Sequence, residues 1–159
     1  LLNCKELWYK NGKKHKDDIN PKTGFTLPSV IWKDGSKQWY KNGKLNRDDI
    51  DPNTGITFTS VIWKDGRKSW HKEGKQHRDE IDLETGFTLP SQIWENISKQ
   101  WCKKGKKNRD DIDPETGLTL PSEIWEDGSK FWYKDGEKYQ EDIDPDTGLT
   151  LFYITLKNF

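Results

Sequence analysis

Nine tryptophans are the residues most able to do chemistry in this chain, and their spacing is regular. Trp8, Trp39, Trp70, Trp101 and Trp132 recur every 31 residues, and Trp32, Trp63, Trp94 and Trp125 form a second series with the same step. Aromatic rings at fixed intervals can stack on sugar rings or cage quaternary ammonium groups. They can equally make the core of a chain with few other large apolar residues. A second constellation is Asp49-Ile50-Asp51-Pro52-Asn53-Thr54-Gly55, where Asp49, Asp51 and Asn53 place oxygen donors at alternate positions. Asp142, Asp144 and Asp146 repeat it in the last copy. Alternating oxygens suit Ca²⁺, although an EF-hand loop has its Gly at the sixth position and a distant bidentate Glu. Asp, Pro, Thr and Gly are also the ordinary makings of a turn. His15, His71 and His77 occupy two repeat positions, and the copies of His15 and His77 carry Asn46 and Asn108. No Ser/His/Asp spacing, Cys/His pair or phosphate-binding Gly loop appears. The expectation is no catalytic residue and no enzyme.

Composition narrows the remaining classes. The 159 residues carry 27 Lys+Arg against 27 Asp+Glu, so the net charge is zero. A neutral balance argues against a general nucleic-acid binder, which needs a net basic face. The runs Lys103-Lys104 and Lys106-Lys107 alternate with Arg109-Asp110-Asp111, which reads as a solvated face of both signs. No apolar run is long enough to span a membrane as a helix. Ala and Met are absent while Gly is 13 and Pro 7, a composition hostile to a helical bundle. Cys4 and Cys102 fall at different places in different copies, too far apart for a bridge, which favours a reducing compartment. The chain starts at Leu without Met, which suggests a processed or partial protein, and no signal peptide is visible.

These residues must be positioned by one supersecondary unit stacked on copies of itself. Thr-Gly at 23-24, 54-55, 85-86, 116-117 and 147-148 keeps the 31-residue step without insertion or deletion. The chain divides into a single array, 1-159, of units 1-31, 32-62, 63-93, 94-124 and 125-159, with atypical end units as caps. Each unit has three turn signals. Asp34-Gly35 and Asn42-Gly43 read as two-residue hairpin turns with both residues at positive φ. Asp51-Pro52-Asn53-Thr54-Gly55 reads as a longer turn closed by Gly. Between them lie short runs rich in Trp, Tyr, Ile, Phe and Thr, which favour strands. A two-residue turn at Asp34-Gly35 pairs Trp32 with Lys37 and Val30 with Trp39, placing both Trp on one face. Pairing across Asn42-Gly43 sets Tyr40 opposite Leu45 and Trp39 opposite Asn46. Lys stems then cover the rings.

The fold expected is all-β, an elongated antiparallel β-meander ribbon; the alternative is a β-solenoid. A solenoid would stack Asp48, Asp79 and Asp110 about 4.8 Å apart as like charges. A meander separates them by roughly 10–14 Å, where surface repulsion is mostly screened. The two hairpin turns per unit favour the meander.

Trp39-Tyr40-Lys41-Asn42-Gly43-Lys44, with Trp32-Lys33-Asp34-Gly35-Ser36-Lys37, resembles the MORN-type repeats and looks closest to the "WYKNGK" variant arrays of bacteria, phages and giant viruses of amoebae. The likeness runs through all five units. It implies hairpins laid side by side in one long sheet. Gln38 stands where MORN repeats have Gly, and the Asp-Pro-x-Thr-Gly excursion lengthens the unit. The Trp-x-Asp-Gly-x-x-x-Trp-Tyr-x-x-Gly pattern is also similar to the choline- and glucan-binding repeats of bacterial surface proteins. The Lys-, Asn- and Ile-rich composition without Ala is similar to that of AT-rich giant viruses.

The functional expectation is a non-catalytic structural or protein-interaction scaffold, virion- or capsid-associated by resemblance, in the cytoplasm or the virion. Its partner is another protein or a copy of itself. The apolar ends (Leu1, Leu2, and Phe152, Tyr153, Ile154, Leu156, Phe159) suit terminal docking. The alternative is a glycan- or choline-binding module using the nine Trp. No cofactor is required under either reading, Ca²⁺ being the candidate if one is.

Overall fold

The computed structural model describes residues 4–94, 98–139, 141–143 and 150–152. Leu1, Leu2, Tyr153, Ile154, Leu156, Phe159, Asp144 and Asp146 lie outside the described residues. The described residues contain strands, turns and bridges and no helix, so no helix is long and apolar enough to cross a membrane.

Ten short strands form one antiparallel sheet. Across it the order is Cys4–Leu7, Val30–Trp32, Lys37–Gln38, Val61–Ile62, Lys68–Ser69, Gln92–Trp94, Ser98–Gln100, Glu123–Ile124, Lys130–Lys134 and Glu137–Tyr139. Neighbours in space are neighbours among these sheet strands in sequence, which is a meander. Each 31-residue step adds two strands, so equivalent residues lie about 9–10 Å apart along the ribbon. Ten strands span roughly 45 Å in that direction.

The remainder of each unit is a small hairpin and a return arm. Tyr40–Lys41 pairs with Lys44–Leu45, and Asn46 N–H reaches Trp39 C=O at 3.1 Å. Asn42 and Gly43 both have positive φ, 52° and 83°, as a two-residue hairpin turn demands. The return arm is pinned by single bridges, Ile19 to Thr26 and Ile50 to Thr57, repeated at Ile81 to Thr88 and Ile112 to Thr119. At its tip Gly55 N–H donates to Asp51 C=O at 2.8 Å, and Asn53 N–H to Asp51 Oδ1 at 2.9 Å. The Asp-Pro segment is therefore an Asx-capped turn.

The Asp34-Gly35 connection differs from the expected two-residue turn. Only Gly35 has positive φ, 94°; Gly35 N–H donates to Trp32 C=O and Trp32 N–H to Ser36 C=O. This is a three-residue loop, a turn followed by a glycine bulge. The register consequently moves by one: Val30 pairs with Gln38 and Ile31 with Lys37. A shift of one residue exchanges faces, so Lys37 shares its face with Ile31 rather than Trp32.

Two rows then run across the sheet. One passes through Leu7, Val30, Gln38, Val61, Ser69, Gln92, Gln100, Glu123 and Phe131. It is the inner row, with Val30 0% and Val61 1% exposed. The other begins at Glu6 and then alternates strand by strand: Ile31, Lys37, Ile62, Lys68, Ile93, Lys99, Ile124, Lys130. Its isoleucines are half-buried, and Lys37, Lys99 and Lys130 are exposed.

Candidate functional site: the junction between units

The tryptophans at 39, 70, 101 and 132 all do the same thing. Each indole Nε1–H donates to the backbone carbonyl of a Thr thirteen residues earlier, in the preceding unit. The distances are 2.9 Å to Thr26, 2.9 Å to Thr57, 2.7 Å to Thr88 and 2.8 Å to Thr119. The backbone N–H groups of Trp39, Trp70 and Trp101 donate within their own units, to Ser60, Ser91 and Ser122 C=O. One residue thus ties its own unit to the preceding one.

A buried arginine closes three of these rings from above, those of Trp39, Trp70 and Trp101. Arg47, Arg78 and Arg109 lie 4.1, 3.9 and 4.0 Å from the ring centroids of Trp39, Trp70 and Trp101. Each pairs through Nε with the acid two residues on: Asp49 at 2.8 Å, Glu80 at 3.2 Å, Asp111 at 2.6 Å. Each also donates Nη1 to a backbone carbonyl, of Thr59, Pro90 and Pro121. Burial pulls these guanidinium groups below their ordinary value and the paired acid opposes it. The acid itself points backward. Asp49 accepts from Thr26 N–H and, at 2.5 Å, from its Oγ1–H; Asp111 does the same at Thr88, and Glu80 accepts from Thr57 Oγ1–H. Indole, guanidinium, carboxylate and threonine form a closed tie across every such junction. In the first unit Lys16 stands in the arginine position, its Nζ 3.8 Å from the centre of the Trp8 ring.

A second tie joins the small hairpins. Gly43 N–H donates to Lys14 C=O, and Gly74, Gly105 and Gly136 repeat this with Leu45, Gln76 and Lys107. The adjacent N–H groups need side-chain acceptors. His15 Nδ1 accepts from Asn42, Asn46 Oδ1 from Glu73, His77 Nδ1 from Lys104, and Asn108 Oδ1 from Asp135. The far side of each ring or amide meets an acid: Asn46 Nδ2–H donates to Asp48 at 2.7 Å, and His77 Nε2 lies 2.7 Å from Asp79. His and Asn are interchangeable here because each carries an acceptor and a donor on opposite edges.

Ser29, Ser60, Ser91 and Ser122 were not singled out by the sequence analysis, yet all four are at most 1% exposed. Ser29 Oγ accepts from Tyr40 N–H at 3.0 Å and lies 3.1 Å from Tyr40 C=O; Ser122 repeats this with Tyr133. These hydroxyls mend the ladder where the chain leaves the sheet at Trp39. Their signal in the sequence was recurrence at the 31-residue step, always just before the strand that carries Ile-Trp.

Between the second and third units lies a cleft of about 190 Å³, lined by residues including Asp48, Phe58, Trp70, His71, His77 and Asp79. Burial pushes the His71 pKa down to about 4. Its Nδ1 is 3.0 Å from Ser60 Oγ, which resembles a nucleophile beside a base. Ser60 is 1% exposed, however, and the equivalent serines Ser29 and Ser122 bond the backbone of Tyr40 and Tyr133, the residues at the His71 position. The pair is a variant of the ladder repair.

The residues expected to bind ligands are thus distributed. Trp39 and Trp101 are 7% and 6% exposed, and Trp32, Trp63, Trp70, Trp94 and Trp132 are half-buried. Only Trp8 and Trp125, at 44% and 51%, present much of their rings. The Ca²⁺ candidates do not converge. Asp49 is held by Arg47 and Thr26, Asp51 caps its own turn, Asn53 is exposed at the tip, and Asp142 sits in strand Glu141–Ile143. Among the described residues no three His, Cys, Asp or Glu side chains are grouped for a metal. Cys4 and Cys102 are both free thiols, Cys102 buried. Phe152 ends strand Thr150–Phe152. No family model, no curated protein and no solved structure matches this chain.

Proposed function

We propose that this chain is a non-catalytic structural and protein-interaction scaffold, a rigid repeat ribbon whose functional groups hold its own units in line. The observation that carries this is the Trp-Arg-acid-Thr tie, complete at three successive junctions. Those tryptophans spend their N–H donors and ring faces inside the fold. A virion- or capsid-associated role rests on the WYKNGK resemblance and is the finer form of the same reading. A glycan- or choline-binding role is favoured by one feature, the exposed rings of Trp8 and Trp125.

One experiment separates the two. Tryptophan emission is recorded during titration with a panel of glycans and choline, beside small-angle scattering of the same sample. The scaffold reading expects an elongated particle and unmoved emission. Quenching or a blue shift that disappears in Trp125→Ala, with scattering unchanged, would replace it with the binding-module reading.

A further inference from the structure

The alternating Ile–Lys row is an open face with an unusual charge state. Among the described residues, Lys37, Lys68, Lys99 and Lys130 take part in no ion pair, although the chain is neutral overall. The return-arm turns of the third and fourth units carry the opposite excess, while that of the first holds Lys22 and no acid. Ile81-Asp82-Leu83-Glu84-Thr85-Gly86 and Ile112-Asp113-Pro114-Glu115-Thr116-Gly117 each hold two acids and no base. The same turns expose apolar surface: Ile50, Ile81 and Ile112 are 54%, 52% and 52% exposed, and Leu83 is 87% exposed.

We infer that the Ile–Lys row docks the return-arm turn row of a second copy of this chain, unit against unit. The inference rests on the scaffold reading and names its partner. Three features point to a copy rather than another protein. The second, third and fourth units of one row each offer an isoleucine and an unpaired lysine, with Glu6 at the lysine position of the first, and each acidic unit of the other offers an isoleucine and free carboxylate. Both rows advance by the same step, two strands or about 9–10 Å, because one repeat generates both. A partner without that pitch falls out of register after a unit or two. Charge is complementary in sign, and each copy carries both rows. Such a contact is heterologous and does not close, so ribbons stack laterally into sheets or fibres. Each exposed ion pair is weak alone, but linked contacts in register reinforce one another. Screening makes the association salt-sensitive.

Sedimentation velocity of the full chain, over a wide concentration range at about 50 mM and about 500 mM salt, tests this. The wild type associates at low salt and at least tenfold more weakly at high salt. The K37E/K68E/K99E/K130E variant, with its melting curve confirming the fold, stays monomeric at low salt. Mixed with E84K/E115K, whose turns present reversed charge, it associates again. Association of the quadruple variant like wild type overturns the inference. So does a wild type that stays monomeric at low salt, whether or not an anionic glycan then binds the lysine row. A monomer that remains elongated in scattering leaves the scaffold reading standing, so the two failures are distinguishable.

Discussion

The arginine that caps Trp39, Trp70 or Trp101 is the most consequential side chain in its junction. Arg47 is buried, stacked on Trp39 and bonded to Asp49 and Thr59. Arg47→Ala leaves Asp49 buried beside Thr26 without its counter-charge. Breaking one partner of a buried pair costs about 3–5 kcal/mol, read as a fall in the unfolding midpoint. Arg47→Lys recovers only part, since an ammonium lacks the flat fork that stacks and bonds at once. The His77 position tests the opposite property, tolerance. His77→Asn should be nearly neutral, because Asn46 and Asn108 do the same work, whereas His77→Ala leaves Lys104 N–H without its acceptor. Lys104 is exposed, so water replaces the acceptor and the loss is about 0.5–1.5 kcal/mol by chemical denaturation. His71 tests pH. Its folded pKa lies at about 4, below the ordinary 6.5, because burial disfavours the cation. The unfolded chain therefore binds the extra proton between those values. Stability conferred by neutral His71 is full above pH about 6.5 and falls as pH drops toward 4. His71→Tyr, the residue at Tyr40 and Tyr133, should flatten thermal stability across that window. An unchanged pH profile would show that His71 is not the group responsible.

At the scale of elements, the small hairpin was legible and the sheet hairpin was not. Asn42-Gly43 and its pairing of Tyr40 with Leu45 were readable because both central residues tolerate positive φ. Asp34-Gly35 offers the same kind of hairpin signal but forms a three-residue loop. Asp34 Oδ1 accepts from Ser36 N–H at 2.8 Å and holds the bulged loop, as Asp65 does with Arg67 and Asp127 with Ser129. The meander and the 31-residue step were legible because periodicity survives any error of register. The junction was half legible. The spacing marked Trp39, Trp70 and Trp101, but a ring's environment depends on which arm folds over it. Thr26, thirteen residues away in the preceding unit, could not be read as its partner. The aspartates read as calcium donors showed the same limit, since Asp49 and Asp51 turn in different directions. Gly43→Ala tests the hairpin itself. Space is available, the nearest side-chain atom being Lys13 Cβ at 3.5 Å, but φ is 83°. The cost is about 1–2 kcal/mol of backbone strain, measurable as a lowered denaturation midpoint.

For the whole molecule, identical joints mean that units are interchangeable. Each adds two strands and repeats the Trp, Arg, Ser and Gly contacts of its neighbours. Deleting residues 63–93 brings residue 94 to the place of residue 63 and rebuilds every tie. This variant should fold to a shorter ribbon with a somewhat lower melting temperature, because nearest-neighbour interfaces are lost one at a time. Deleting only 63–78 shifts the step and sets non-equivalent residues against one another. It should yield no cooperative unfolding transition by circular dichroism. A cooperative transition in both would mean that register between units is not what organises the fold.

The central claim, that the Trp39 series ties units together rather than awaiting a ligand, is tested most directly by indole N–H exchange followed by NMR. The Nε1 protons of Trp39, Trp70, Trp101 and Trp132 are donated to Thr carbonyls of the preceding unit, and should exchange far more slowly than those of Trp8 and the exposed Trp125. Uniformly fast exchange at all of them would mean that the indoles stand open to solvent and that the junctions are held by something else.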